Sequence, residues 1–290
     1  MYILSRFFAL NRRLSFAVEA RLPKAFKQHP HTLYRHQVAE ILNRRPGQVV
    51  LDVGGGKDCP FLRHVTAPDA HLIIALDCSE EQLRRNRHLD NRMVSDAAMD
   101  GLPVRDQSAD LVVSRSVVEH IRDNEAFFKN CARALRPGGA MIHTFPGRFA
   151  PFALLNQILP NWLVRRLIPY FLPEWIEDGN YGFVAFYDHC YYAAIRQLIR
   201  QNGFQNPRYI MTYYQSMYFT SFFPLFCLML IYDLILWRCG FRNLASGILV
   251  VAERPTGRSD RSEMRAGDAD ILAAADIGDD GLGGRHGLAA

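Results

Sequence analysis

The sequence predicts an α/β protein built on a mostly parallel sheet. Three observations predict it. Short apolar runs alternate with helical stretches, most of those runs end in an acid or a serine, and the first opens directly into three glycines. Strands and helices alternating at this spacing form βαβ units, and such sheets bind ligands at the carboxyl ends of their strands.

Residues 33–44 read as a helix that stops before Pro46-Gly47. The first strand, 48–53, runs through V-V-L-D-V into Gly54, Gly55 and Gly56, where backbone can approach a ligand with no Cβ in the way. The second, 71–76, ends at Asp77, an acid placed to take both hydroxyls of a ribose. Ser79-Glu-Glu supplies an N-cap and first-turn acids for a helix. Residues 92–95 form a short third strand ending at Asp96, beside Ala97, and 109–114 a fourth ending at Ser114. A helix over 123–135 is closed by Arg136-Pro-Gly-Gly139, and 140–145 is the fifth strand. Residues 191–202 form a helix stopped by Gly203, 209–214 a sixth strand and 247–252 a seventh.

Net charge is +5, and the 36 residues from Pro255 hold four arginines against seven acids, leaving about +8 on the rest. Such an excess suits an anionic membrane surface or nucleic acid, and also a merely basic soluble protein. The six cysteines show no C-x-x-C and no metal spacing with histidine, so neither a disulfide framework nor a metal site is expected, and a cytoplasmic setting is. The basic, interrupted N-terminus does not read as a signal peptide. Three regions follow: a basic amphipathic segment over 1–30, a domain over 31–254 with insertions at about 146–190 and 217–245, and a tail over 255–290 whose composition predicts disorder.

Residues 49–56, Asp77, Ser95-Asp-Ala-Ala-Met-Asp-Gly-Leu-Pro103, Val118-Glu-His120 and Leu135-Arg-Pro-Gly-Gly139 together resemble the class I S-adenosylmethionine-dependent methyltransferases, of the kind that includes quinone-biosynthesis enzymes. The resemblance runs from about 49 to 145. It implies a Rossmann-like seven-stranded sheet with helices on both faces and S-adenosyl-L-methionine as cofactor. By it, Asp52, Gly54, Gly55 and Gly56 meet the methionine part, Asp77 the ribose, and Asp96 with Ala97 the adenine. Ser114 joins this set from the end of the fourth strand. The family's D-x-G-x-G-x-G would place glycine at 58, where this chain has Asp58. A nicotinamide-type G-x-G-x-x-G fails at Cys59, and a P-loop fails because Lys57 is followed by Asp58.

Methyl transfer to an amine or hydroxyl is helped by a base. His143, near the end of the fifth strand, and Asp188 with His189, before the helix at 191, are the candidates, each with a competing structural reading as packed strand residue, helix cap or loop histidine. The adenine-methylating N/D-P-P-Y motif is absent after the fifth strand, so no nucleic-acid partner is expected. Residues 2–27 mix apolar positions with six basic residues, and 217–237 are almost wholly apolar. The latter lies between two strands that must return to one sheet, so an interfacial helix over about 222–238 is expected rather than a single crossing, with a buried lid as the competing reading. Both insertions should overhang the ligand edge. The expectation is a protein peripheral on the inner membrane face, methylating a lipophilic or lipid-linked acceptor. A soluble small-molecule methyltransferase with an aromatic lid and a non-catalytic, membrane-peripheral cofactor-binding protein are the alternatives.

Overall fold

The computed structural model describes residues 2–86, 89, 91–97, 101–160, 162–163, 166 and 184–256. Met1–Arg254 form one compact unit. Residues 167–183 of the first insertion and the tail from 257 lie outside the described residues.

Seven strands form one sheet: β1 (Val49–Val53), β2 (Leu72–Asp77), β3 (Arg92–Val94), β4 (Ala109–Arg115), β5 (Leu135–Pro146), β6 (Gln205–Thr212) and β7 (Gly247–Glu253), in the order β3-β2-β1-β4-β5-β7-β6. All pairings from β3 to β5 are parallel, while β7 runs antiparallel to both β5 and β6. The end of β6 therefore lies on the same edge as the ends of β1 to β5.

Because side chains alternate along a strand, each central strand feeds two cores. Val50, Leu111, Val113, Ile142, Leu249 and Val251 pack with Tyr34, Val38 and Leu42 of α2 (Pro30–Arg44). Leu51, Val53, Val112, Met141, Ile248 and Val250 face Phe127 and Phe128 of α4 (Asn124–Ala134) and Ile195 and Leu198 of α6 (Tyr192–Gln201). Between these come α3 (Glu80–Arg85), capped by Ser79 through its bond from the Gln82 amide, and α5 (Pro151–Ile158).

Two strands start earlier than expected. Residues 135–139 open β5, where a loop was expected, because Gly138 N–H donates to Arg254 and Arg254 N–H to Gly139, extending the ladder past the Pro-Gly-Gly. β6 starts at Gln205 through a register shift, with Asn206 at φ 49°.

The expected interfacial helix is α7 (Phe223–Cys239), 17 residues with Pro224 in its first turn and Gly240 closing it at φ 68°. No helix of the described residues is long and apolar enough to cross a membrane. Helix α1 (Tyr2–Glu19) docks on the start of α7 through polar atoms. Asn11 Oδ1 accepts from Phe223 N–H (2.8 Å), Ser15 Oγ donates to the Thr220 carbonyl (3.0 Å), and Arg12 Nε donates to Ser221 Oγ (3.1 Å).

Candidate active site

The turn after β1 folds onto the end of β2. Gly54, at φ 73°, donates to the Leu76 carbonyl (2.7 Å), and a Cβ there would lie 2.1 Å from Val117 Cγ2. At Gly55 a Cβ would meet the Asp52 carbonyl at 2.9 Å. Only glycine fits either position. Gly56 N–H donates to Asp77 Oδ2 (3.1 Å), while Asp77 Oδ1 accepts from Ser79 N–H (2.8 Å). Both oxygens are thus fixed, and each keeps a lone pair for a further donor.

Asp52 lies behind this turn rather than at its lip. It pairs in register with Ala75 and Val113 and shares the α2 face. Burial raises its pKa to about 7, against the lowering effects of a hydrogen bond from the Cys59 thiol and of the Arg115 charge. Cys59 also meets Asn86 Nδ2 (3.6 Å), which donates to the Gly55 carbonyl (3.0 Å). Asp52, Cys59, Asn86 and Gly55 therefore form one buried brace. Cys59 entered the sequence reading only as a missing glycine, so its part in the brace gave no signal. Asp58 sits farther on, 3.9 Å from Arg63, outside the stretch that folds onto Asp77.

Asp96 and Ala97 follow β3, and Ser95 N–H donates to the Asp77 carbonyl (3.0 Å), which brings this turn beside Asp77. Ser114 departs from expectation. Its hydroxyl is fully buried on the α4 face, 2.7 Å from His143 Nδ1, so it offers nothing to the ligand edge. His143 is equally enclosed. Its ring lies edge-on to Phe127 and Phe128, and burial lowers its pKa to about 3. Since Ser114 pairs with Val53, and Asp52 is the next residue along β1, His143 and Asp52 project from opposite faces. Asp188 Oδ2 accepts from Asn124 N–H (2.9 Å), so it caps α4 rather than α6, and its Oδ1 lies 2.8 Å from His189 Nδ1. The His189 ring is partly exposed.

Two further groups lie at the strand ends: His31, which the sequence did not single out, and Glu119 of the Val118-Glu-His120 block. His31 Nε2 meets Ser116 Oγ at 3.1 Å, and burial, then the Arg115 charge, lowers the His31 pKa to about 3. Glu119 is buried, with Oε2 lacking a partner among the described residues, and burial raises its pKa to about 8. Where β5, β6 and β7 meet, a cavity of about 150 Å3 is walled by His29, Pro146, Phe152, Gln215 and Tyr218 among others. It lies at the same edge as the glycine turn, with only β4 between β1 and β5, roughly 10 Å across two strand spacings.

The model of a family described as a methyltransferase domain matches residues 51–143, the stretch that runs from the glycine turn to the end of β5. That stretch is therefore similar to a methyltransferase domain. A probable S-adenosylmethionine-dependent methyltransferase of Mycolicibacterium smegmatis is 30% identical over 49% of this chain and 56% of its own length. An arsenite methyltransferase of Halobacterium salinarum is 32% identical over 41% and 32%. A ubiquinone biosynthesis O-methyltransferase of Idiomarina loihiensis is 26% identical over 48% and 56%. The chain thus spans about half, or less, of the length of these relatives. The glycine turn passes the test of fit for S-adenosylmethionine: Gly56 has space where a Cβ would stand 3.1 Å from Asp77 Oδ2, and Asp77 keeps acceptor capacity toward a diol.

Proposed function

We propose that the protein is an S-adenosylmethionine-dependent methyltransferase that works at a membrane surface on a lipophilic acceptor. In this reading Asp77 holds the ribose hydroxyls, the backbone of residues 54–56 receives the methionine end, and Asp96 with Ala97 borders the adenine. Asp52 acts from behind, bracing the turn through Cys59 and Asn86. The cofactor supplies an electrophilic sulfonium methyl, so the chain has to orient the acceptor, and orientation alone is worth several kcal/mol. Of the three candidate bases, His143 and Asp188 are assigned to packing and capping. His189, partly exposed beside Asp188, is retained as the candidate base.

The observation that carries the membrane part is the polarity of α1. Its hydrogen bonds to residues 220–223 are made by Asn11, Arg12 and Ser15 and Val18 packs on the core, whereas Phe7, Phe8, Leu10, Leu14 and Phe16 are exposed. A helix stabilised only by its own domain would face the other way. Helix α7 adds Leu228, Ile231 and Ile235, exposed on one side at helical spacing, while Phe226, Leu230, Asp233 and Leu236 are buried. Helix α5 adds Leu154, Leu155 and Ile158, the last 77% exposed. Patches of this kind mark interaction surfaces, and α5 and α7 follow strand ends at the cofactor edge. The six basic residues of 2–27 would favour anionic lipid.

Flotation with phosphatidylglycerol vesicles tests this. The intact chain should float, and the triple variant Leu228→Gln, Ile231→Gln, Ile235→Gln should lose most of that binding. Labelled methyl from S-adenosylmethionine should enter the organic phase of a lipid extract. Failure of the intact chain to float, or label confined to the aqueous phase, would favour the soluble small-molecule enzyme instead.

A further inference from the structure

We propose that Arg115 forms an anion site beside the glycine turn and takes a carboxylate or phosphate group of a bound ligand. Two sources share that chemistry: the amino-acid end of the cofactor and an acid group on the acceptor. Either source rests on the methyltransferase reading above, whereas the anion site stands on the arginine itself.

Placement comes first. Arg115 ends β4, one residue past the Ser114 that pairs with Val53, so it stands level with Gly54. Ser116, at φ 55°, turns the chain out of the strand while its N–H donates to the Thr144 carbonyl (2.8 Å). Val117 Cγ2 then fills the place of the missing Gly54 Cβ. Residues 115–117 therefore flank the turn at the carboxyl edge. The arginine lies on the α2 side, since its charge acts on His29, His31, Tyr34 and Asp52.

Pairing decides the rest. Arg115 is half-buried, yet it has no hydrogen-bond or ion-pair partner among the described residues. Other arginines nearby in the chain are occupied: Arg148 donates to the Tyr187 carbonyl (3.2 Å), and Arg122 stands 4.7 Å from the centre of the Phe186 ring. Asp52, a carboxyl on which the Arg115 charge acts, is fully buried behind the turn and makes no ion pair with it among the described residues. The neighbouring histidines add no charge, because burial first and arginine charge next lower the pKa of both His29 and His31. A guanidinium left open in this way presents a planar fork that matches two oxygens of a carboxylate or phosphate.

The glycine turn cannot serve the same purpose. Gly54 and Gly55 N–H donate to the Leu76 carbonyl, and Gly56 N–H donates to Asp77 Oδ2. All three amides are spent inside the protein, so an anion arriving there finds no backbone donor in the turn.

The experiment titrates the full chain by calorimetry with S-adenosylhomocysteine, with methylthioadenosine, which lacks the amino-acid end, and with inorganic phosphate in the presence and absence of S-adenosylhomocysteine. Wild type is compared with Arg115→Gln, with Arg115→Met as a second neutral variant and Arg115→Lys as the one that keeps the charge; circular dichroism reports on folding. S-adenosylhomocysteine weakened about tenfold or more in the neutral variants, with methylthioadenosine unchanged, supports the site and assigns it to the cofactor. Unchanged S-adenosylhomocysteine with phosphate weakened to that extent on the loaded chain supports the site and assigns it to the acceptor. Arg115→Lys should keep part of the affinity in either case. Equal loss of both nucleosides in a folded neutral variant, or no dependence of any of the three ligands on Arg115, would overturn the proposal. If phosphate binding depends on Arg115 but neither nucleoside binds wild type, the anion site stands and the methyltransferase reading fails.

Discussion

A methyl group at Gly54 would have to displace Val117, whose Cγ2 occupies the place of the missing Cβ, and the φ of 73° disfavours any L side chain besides. Gly54→Ala should therefore destabilise the fold by about 1–3 kcal/mol and weaken cofactor binding. Adding Val117→Ala should restore part of the stability, because it removes the clash and leaves only the dihedral strain. Chemical denaturation of the single and double variants checks this. Glu119 and Asp52 make a second prediction. Their folded pKa values, about 8 and about 7, lie above the ordinary carboxylate range. The folded state therefore holds protons that the unfolded chain has already released, and stability falls as pH rises. Below about 6.5, His31 and His143, both lowered to about 3, act in the opposite sense, since the unfolded chain gains protons there that the fold refuses. The carboxyl effect is isolated only between pH 6.5 and 8, where each group contributes at most about 1.4 kcal/mol per pH unit. Glu119→Gln should flatten that decline, and an unchanged slope would contradict the assignment.

At the scale of elements, local signals were legible and distant ones were not. Ser79 announced the start of α3 because cap and helix are three residues apart. The start of α7 is capped by Asn11, 212 residues away, and nothing near Phe223 hints at it. Asn11→Ala should cost about 0.5–2 kcal/mol and, by loosening α1 from α7, reduce vesicle flotation. Thermal melts and flotation on one preparation would show both. The Arg136-Pro-Gly-Gly139 stretch read as a loop because its turn residues are local, while the Arg254 backbone that completes its ladder is not. For a related reason the sequence left the packed reading of His143 open beside the site reading and placed Ser114 at the ligand edge. Being near the end of a strand is visible in sequence, but which face a strand residue takes depends on register, and here register turns both toward α4.

For the whole molecule, the alternation of apolar runs and helices was enough to give the fold class. The antiparallel insertion of β7 between β5 and β6 was not, since neighbours in the sheet are set by packing over long separations. That insertion brings Gln215, Pro146 and residues 27–30 around one cavity. Cofactor binding and global stability should be linked accordingly. S-adenosylmethionine at a hundred times its Kd should stabilise the native state by about 2.7 kcal/mol, and the gain should vanish in a variant that cannot hold the ribose.

Calorimetric titration of S-adenosylmethionine into wild type and Asp77→Ala tests the central claim most directly. The account predicts one site per chain in wild type and an affinity at least tenfold weaker in the variant, with both proteins folded by circular dichroism. Absence of binding to the folded wild type, or equal affinity in the two proteins, would contradict it.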